Sequence, residues 1–456
     1  MRKLLRCRRG SVAFATVAAL VPLIGVVALG AEAGSWYVTK QRAQNAADAA
    51  AYSGGLWLAC SIAAPCADPA SDSLAYRGKE FAAQNGFCNA GDTTSYPGSR
   101  CVTSLPTGTS QTVQIASLTS WNGSNGNFVQ ANVSQTQPTF LASVLGLSSV
   151  TINTTAVAQV QVANAPACVL ALTGSISFQG SPNINAPNCG LASNDPAPNA
   201  LNFTGGGMSI NVGSLSAVGG CTGAAQFCNS ALINMPAPIP DPFSALDSAL
   251  TTMCGANPTL PTRCGLPVCT GGLTAYTAAT PCTNDSLHIT SNGTITLSGV
   301  YFISGQLKIT GTPTISGTAI FILLPGATIN NQGNAVITIT GPTTAPSASS
   351  LPAALQSFSD RALLQDMAFY AAPCSSCSQA FKFGGNTQIT LNGNIYAPTA
   401  AVTFQGNPTI TVSGSTGCGQ LVAASIAFNG NATFNNNGCS ASTKLSIPQY
   451  VQLVQG

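Results

Sequence analysis

Side chains able to do acid–base or metal chemistry are few and scattered in this chain. From Ala165 onward the carboxylates are Asp195, Asp241, Asp247, Asp285, Asp360 and Asp366, and the single histidine is His288. Glycoside hydrolysis needs two carboxylates flanking the scissile bond. None of these six lies on the repeated strand phrases described below, where an enzyme of that architecture presents its site. Asp241 and Asp247 fall around a proline-flanked turn and a helix start, and read as a cap and a solvated charge. Asp360 and Asp366 fall in a helix predicted over 352–366, with Arg361 between them. Cys374-Ser-Ser-Cys377 has the spacing of half a zinc site, but no second pair follows it. No nucleophile elbow, phosphate loop or dinucleotide fingerprint stands in a fitting context. The expectation is a protein with no catalytic residue, no cofactor and no metal, and therefore not an enzyme.

The remaining cysteines point elsewhere. The chain has 17, and setting aside Cys7 in the basic N-terminal tail leaves an even 16 for an oxidising compartment. Many are close neighbours in sequence, which makes local disulfides the natural expectation: Cys60 with Cys66, Cys88 with Cys101, Cys168 with Cys189, Cys221 with Cys228, Cys374 with Cys377, and Cys418 with Cys439.

The element that must place all of this outside the cytoplasm is the N-terminus. Arg2, Lys3, Arg6, Arg8 and Arg9 precede an apolar run that ends at Ala31. Spanning the hydrocarbon layer takes about 20 apolar residues, and residues 11–31 supply that length with no charge before Glu32. The basic cluster on one side puts residues 1–10 in the cytoplasm, and Trp36 and Tyr37 fall at an interfacial aromatic belt. Ala31-Glu32-Ala33 has the small-x-small form of a signal-cleavage site, but the apolar stretch exceeds the usual secretory core and the helical pattern runs on past it. An uncleaved single-pass anchor is the expectation. Residues 32–58 continue as an Ala-rich juxtamembrane helix. Gln41, Asn45, Asp48 and Tyr52 share a polar face of it, beside a smooth face of Ala43, Ala46, Ala47 and Ala50 that would admit a partner helix, and Gln44, Asn45 and Asp48 are the candidate partner-docking residues.

The order of these features resembles the Tad-domain proteins: a basic tail, Gly10-Ser11, an apolar helix with Pro22, Trp36-Tyr37, then Gln44-Asn45-Ala46-Ala47-Asp48-Ala49-Ala50. These are TadG-like components associated with assembly of Flp-type pili. The resemblance implies an inner-membrane protein with a periplasmic or cell-surface body, working with other pilus-assembly proteins or pilins. Processing of related pilins wants a glutamate at the fifth mature position, where cleavage after Gly10 would place Ala15. That favours an uncleaved anchor. The Asp-x-Ser-x-Ser metal site of the von Willebrand A domains often found in TadG proteins is not in this sequence.

Residues 59–164 read as a small α+β, pilin-like domain. A helix is expected over 71–85, strands over 112–118 and 128–133 around a turn at 122–126, a short helix over 139–147, and an alternating strand over 150–162. From 165 to 456 one phrase recurs, apolar-x-apolar-x-Gly-x-x-x-apolar. It runs Ile176 to Gly180 and Ile184, Leu307 to Gly311 and Ile315, Phe381 to Gly385 and Ile389, Val402 to Gly406 and Ile410, and Ile426 to Gly430 and Phe434. A looser copy starts at Leu201. The last three copies start 21 and 24 residues apart, a solenoid period. A large right-handed parallel β-helix is expected, interrupted by a Pro/Cys-rich insertion at about 222–281. Asn183, Asn386, Asn392, Asn407, Asn429 and Asn431 fall near its turns, where amides can stack in ladders. The segment from Gly393 to Asn407 resembles the C-terminal region often attached to Tad-type N-termini.

The fold class expected is mainly β, with a transmembrane helix, a small α+β segment and a β-helix body. Only 6% of residues are charged, against about a quarter in ordinary domains. Beyond Gly10 there are 10 basic and 12 acidic residues, which leaves no basic patch for nucleic acid. A surface of Ser, Thr, Asn, Gln and Gly suits contact with proteins, glycans or abiotic surfaces. The leading expectation is a membrane-anchored structural component of pilus assembly. A surface adhesin or matrix protein comes second, and a carbohydrate-active β-helix enzyme third.

Overall fold

The computed structural model describes residues 8–62, 73–92, 96–163, 165–235, 238–255, 262–290, 292–374, 376–377, 379–413, 419–436 and 449–455. The chain forms two compact units. One comprises residues 1–162 with 449–456, the other residues 163–448.

In the first unit one helix, α1 (Arg8–Ile62), runs unbroken through both the apolar stretch and the Ala-rich segment. Alanine is its commonest residue and favours the helix, and neither Pro22 nor its glycines break it. Helix α2 (Leu74–Gln84) starts at Ser73, whose hydroxyl accepts from the Tyr76 amide. Strands β1 (Ser110–Trp121), β2 (Ser124–Pro138) and β3 (Ser149–Val162) form an antiparallel sheet. Asn122 and Gly123, with φ of 46° and 79°, close the β1–β2 hairpin in the two-residue turn that strand twist favours. The short helix expected over 139–147 is a single 3-10 turn, Ala142–Leu145, stopped by Gly146 at φ 90°.

Two expectations are corrected here. The β-helix domain does not run to residue 456. Gln449–Gln455 is the fourth strand of the first unit's sheet, antiparallel to β3 with Gln449 opposite Val162. Its inward Val451 joins the core formed by α1 and the sheet. Nor is the alanine face of α1 open to a partner helix. Ala43, Ala46, Ala47, Ala50 and Ala51 are fully buried with Ala131, Ala156 and Ala158 of the sheet. Small residues on both sides bring helix and sheet so close that a Cβ on Gly54 would lie 2.9 Å from Val129 Cγ1, and one on Gly55 2.7 Å from Val451 Cγ1.

The second unit is a parallel β-solenoid whose strands join one 19-stranded sheet. A full turn uses three short strands, as in Ala380–Phe383, Gln388–Asn392 and the start of Asn394–Gly406. Equivalent residues stack in register: Phe383 on Phe404, Phe404 on Phe428, Phe428 on Phe178, and Phe178 on Phe203. Their rings form a continuous inner column with centroid separations of 5.6, 5.2, 5.4 and 4.7 Å. At one corner the amides of Asn386, Asn407 and Asn431 form a ladder, each Nδ2 donating to the Oδ1 of the coil before it at 3.2 and 3.1 Å.

Stacking order is not chain order. Strands from residue 288 to 436 stack progressively, and the last of them, Leu421–Gly430 and Thr433–Asn436, pair with the unit's first strands, Ala167–Ala171, Ile176–Gly180 and Asn183–Ser193. The stack then continues through Leu201–Phe203 and Ser209–Ala217. One flank is covered by the insertions. Met235, Ile239, Phe243 and helix α3 (Ser244–Cys254) pack with Leu351, Leu355 and Leu364 onto Phe302, Ile322, Tyr370 and Tyr396. The helix expected over 352–366 is two short pieces, a 3-10 turn at Ala353–Leu355 and a helix at Phe358–Leu363. Asp366 follows them with φ 59°, leading directly into the strand Met367–Ala371.

Candidate functional site

The N-terminal helix divides by environment. Val17, Leu20, Leu23, Val26, Val27 and Leu29 are exposed, whereas the alanines from Ala43 on are buried. A helix of 48 described residues is long and apolar enough to cross a membrane, with a mean hydropathy of 2.0 in its best window. Arg8 and Arg9 begin the described helix, and Arg2, Lys3 and Arg6 lie outside the described residues. Trp36 is half-buried and Tyr37 exposed, its hydroxyl accepting from Gln41 Nε2 at 2.8 Å.

Glu32 is a candidate-site residue that sequence reasoning treated only as the end of the span. Its side chain is buried. Oε1 accepts from the Phe140 amide at 2.7 Å, and Oε2 from those of Leu141 and Ala142 at 3.1 and 3.0 Å. Desolvation raises this carboxyl, but the amides of Phe140, Ala142 and Leu141 together outweigh it and hold it below the usual range. The lone acid directly after an apolar run was the available signal.

Of the expected docking residues, Gln44 turns inward. Its Nε2 donates to Asp48 Oδ1 at 2.8 Å and to the Thr155 carbonyl of β3 at 3.4 Å. Asn45 is exposed and Asp48 half-buried. Cysteines bond as Cys88–Cys101, Cys168–Cys189, Cys221–Cys228 and Cys374–Cys377. Cys254–Cys264 and Cys269–Cys282 are two further bonds that sequence spacing did not single out. Cys60 is disulfide-bonded, and Cys66, Cys418 and Cys439 lie outside the described residues. The bond between Cys374 and Cys377 removes the half zinc site. Among the described residues no group of three or more His, Cys, Asp or Glu is placed to hold a metal ion. His288 is exposed, its Nε2 2.9 Å from Thr310 Oγ1.

Asp241 does act as a cap, accepting from the Phe243 amide at 2.9 Å, but the reading of Asp241 and Asp247 as solvated charges is corrected. Both meet the hydroxyl of Tyr396, which is fully buried, at 2.9 Å. Insertion docking brings them there: Phe243 and α3 pack on the Tyr370–Tyr396 flank, and the Tyr370 hydroxyl donates to the Leu246 carbonyl. A phenol has one proton to give, so when it donates to one carboxylate the other must itself carry a proton to bond the same oxygen. Burial, opposed by the Tyr396 hydrogen bond and reinforced by neighbouring Asp241, pushes Asp247 up to about 7. Burial also raises Asp241, against hydrogen bonds from the Phe243 amide and Tyr396. The pair does not have the geometry of a glycosidase site, because Tyr396 occupies the gap a glycosidic oxygen would need.

A folded-state value above the ordinary 3.8 means that this contribution is complete at low pH and is lost as pH rises through about 7. Asp247→Asn should therefore melt closer to wild type at pH 5 and above it at pH 8, as read by thermal unfolding. Parallel pH profiles in the two proteins would remove Asp247 as the source.

The first unit is thus a long helix laid against an antiparallel sheet, and the second a parallel solenoid with no assembled catalytic or metal centre among the described residues. Residues 10–64 match the family described as putative Flp pilus-assembly TadE/G-like, and residues 59–158 match putative Tad-like Flp pilus-assembly. Both matches lie in the N-terminal third of the chain, and the solenoid follows them. No curated protein matches the chain. An ice-binding protein from an Arctic yeast aligns over 62% of this chain and 99% of its own at 10% identity, with a TM-score of 0.26, too slight a likeness to bear on fold or ligand.

Proposed function

We propose that this chain is a single-pass inner-membrane structural component of Flp-type pilus assembly that carries a rigid, disulfide-braced solenoid outside the cytoplasm. One observation carries the reading. The Tad-matching region contains a helix whose first part is apolar and exposed, and whose second part is the core of a folded unit. An exposed face of Val and Leu is costly in water and at home in lipid. The basic residues before it orient residues 1–10 to the cytoplasm, and the disulfides among the described residues fit an oxidising compartment beyond the membrane. Other assembly proteins or pilins are the partners, with Asn45 and Asp48 the accessible members of the docking face.

The test is fractionation of a C-terminally tagged chain in its native cell, with its mass measured. An intact chain in the inner membrane, with pili lost on deletion, is the expected result. A soluble or surface chain trimmed near Ala33 would overturn the anchor.

A second reading, a surface adhesin contacting neutral glycans, is favoured by one face of the solenoid. Ser316, Thr338, Thr390 and Thr411 stack there in register, and beside them Thr318, Thr340, Asn392 and Ser413, with no charge among them. Intact pili with poor attachment after deletion would select that reading.

A further inference from the structure

The loop between β2 and β3 exposes its apolar side chains. Phe140 is 79% exposed, Leu147 56% and Leu141 39%. None of the described residues of the first unit covers them, and an ordinary surface loop of this size is polar. The loop is also internally braced: the Thr139 hydroxyl donates to the Leu147 carbonyl, the Thr139 amide to Ser148 O at 3.2 Å, and the Leu147 amide to Ala142 O at 3.1 Å. Its apolar residues are therefore presented by a fixed turn.

Where that turn is held decides what it meets. The Glu32 clasp ties the amides of Phe140, Leu141 and Ala142 to the helix three residues past exposed Leu29. Helix side chains lean toward the N-terminus, so the Glu32 carboxylate lies over the turn before it, level with exposed Leu29. At about 1.5 Å rise per residue, the 21 residues from Ser11 to Ala31 cross about 30 Å of hydrocarbon. Phe140, Leu141 and Leu147 thus continue the exposed surface of Leu20, Leu23, Val26 and Val27 at the outer rim of the layer. The clasp also gives partners to three amides and one carboxylate that would be costly to leave unpaired there.

We propose that the 139–147 loop is a second, interfacial membrane contact, which inserts Phe140, Leu141 and Leu147 into the outer edge of the phospholipid layer with Glu32 as its positioning residue. The inference rests on the anchored reading of α1. With two attachment points, a span and a loop, the first unit holds a fixed tilt on the membrane, which a span alone, free to tilt and rotate in the layer, would not impose.

The test is photo-crosslinking in the full chain, reconstituted in vesicles of phosphatidylethanolamine and phosphatidylglycerol. A benzophenone amino acid replaces Leu20, Phe140 or Asn122 in turn, and lipid adducts are read by mass spectrometry. Asn122 lies at the opposite end of the 15-residue β2, about 45 Å from the loop at roughly 3.3 Å per residue. The expected result is lipid adducts at 20 and 140 in similar yield and none at 122. Lipid at 20 with none at 140, or only protein adducts at 140, would overturn the loop contact and leave the anchor standing. No lipid at 20 would sink the anchored reading and the loop contact with it.

Discussion

Phe404→Ala should cost the solenoid about 3–5 kcal/mol, a large part of the roughly 5–15 kcal/mol by which domains are stable. Phe404 is fully buried, with its ring stacked between Phe383 at 5.6 Å and Phe428 at 5.2 Å. Truncation removes the transfer free energy of the ring and leaves a cavity. The cavity cannot collapse, because the coils above and below are held by in-register ladders. Each stacked aromatic pair adds about 0.5–1.5 kcal/mol beyond area burial, so Phe404→Leu should recover most of the volume but not the stacking. Thr403→Ala, on the same strand but pointing outward, should stay within about 0.5 kcal/mol of wild type. Denaturant unfolding followed by circular dichroism checks all three. A solenoid couples mainly nearest neighbours, so a lesion in a middle layer should also broaden the transition. If Phe404→Ala unfolds with the wild-type midpoint, the ring column does not hold the stack together.

This column was legible before any coordinates, because the repeated phrase places Phe178, Phe383, Phe404 and Phe428 at its second apolar position each time. Strict local repetition makes the period visible, and the parallel β-solenoid with its Asn386–Asn407–Asn431 ladder follows from it. What was hidden was non-local. Nothing near Asp241 or Asp247 announces Tyr396, which lies about 150 residues away and is met only when the insertion docks on the solenoid flank. Sequence reasoning assigned each acid to its local turn, as local rules must. The alanine face of α1 was read correctly as a face for close approach and assigned to the wrong partner. Its partner is equally small, Ala131 of β2 with Ala156 and Ala158 of the neighbouring β3, and a small-residue stripe carries no mark of what fills it. The terminal strand was missed for the opposite reason. Gln449–Gln455 alternates as any strand would, and only pairing with β3 tells which unit owns it.

That terminal strand also explains the stacking order, and the explanation leads to the second large effect. The solenoid is inserted between β3 and Gln449–Gln455, which face each other at Val162 and Gln449. An inserted domain needs its two ends close together, whereas a solenoid wound in simple chain order ends far from where it starts. Here the unit begins in mid-stack, builds one arm to residue 223, then winds the other arm back from residue 288 until Leu421–Asn436 closes on Ala167–Gly180. The seam depends on backbone proximity at one corner. Gly180, at φ 90°, has Gly430 O only 2.7 Å from where a Cβ would sit, and Gly205 in turn approaches Gly180. Gly180→Ala should therefore combine a left-handed backbone cost of about 1–2 kcal/mol with an overpacking cost of about 1–3 kcal/mol. Gly265→Ala, at φ 80° in the same unit but with nothing within 4 Å, should show only the first. The difference between their unfolding free energies isolates the seam, and equal losses would mean the two arms do not depend on that contact. Residues 180 and 430 are far apart in sequence, so loop-closure entropy should make their contact a late one. Gly180→Ala should therefore speed unfolding more than it slows folding.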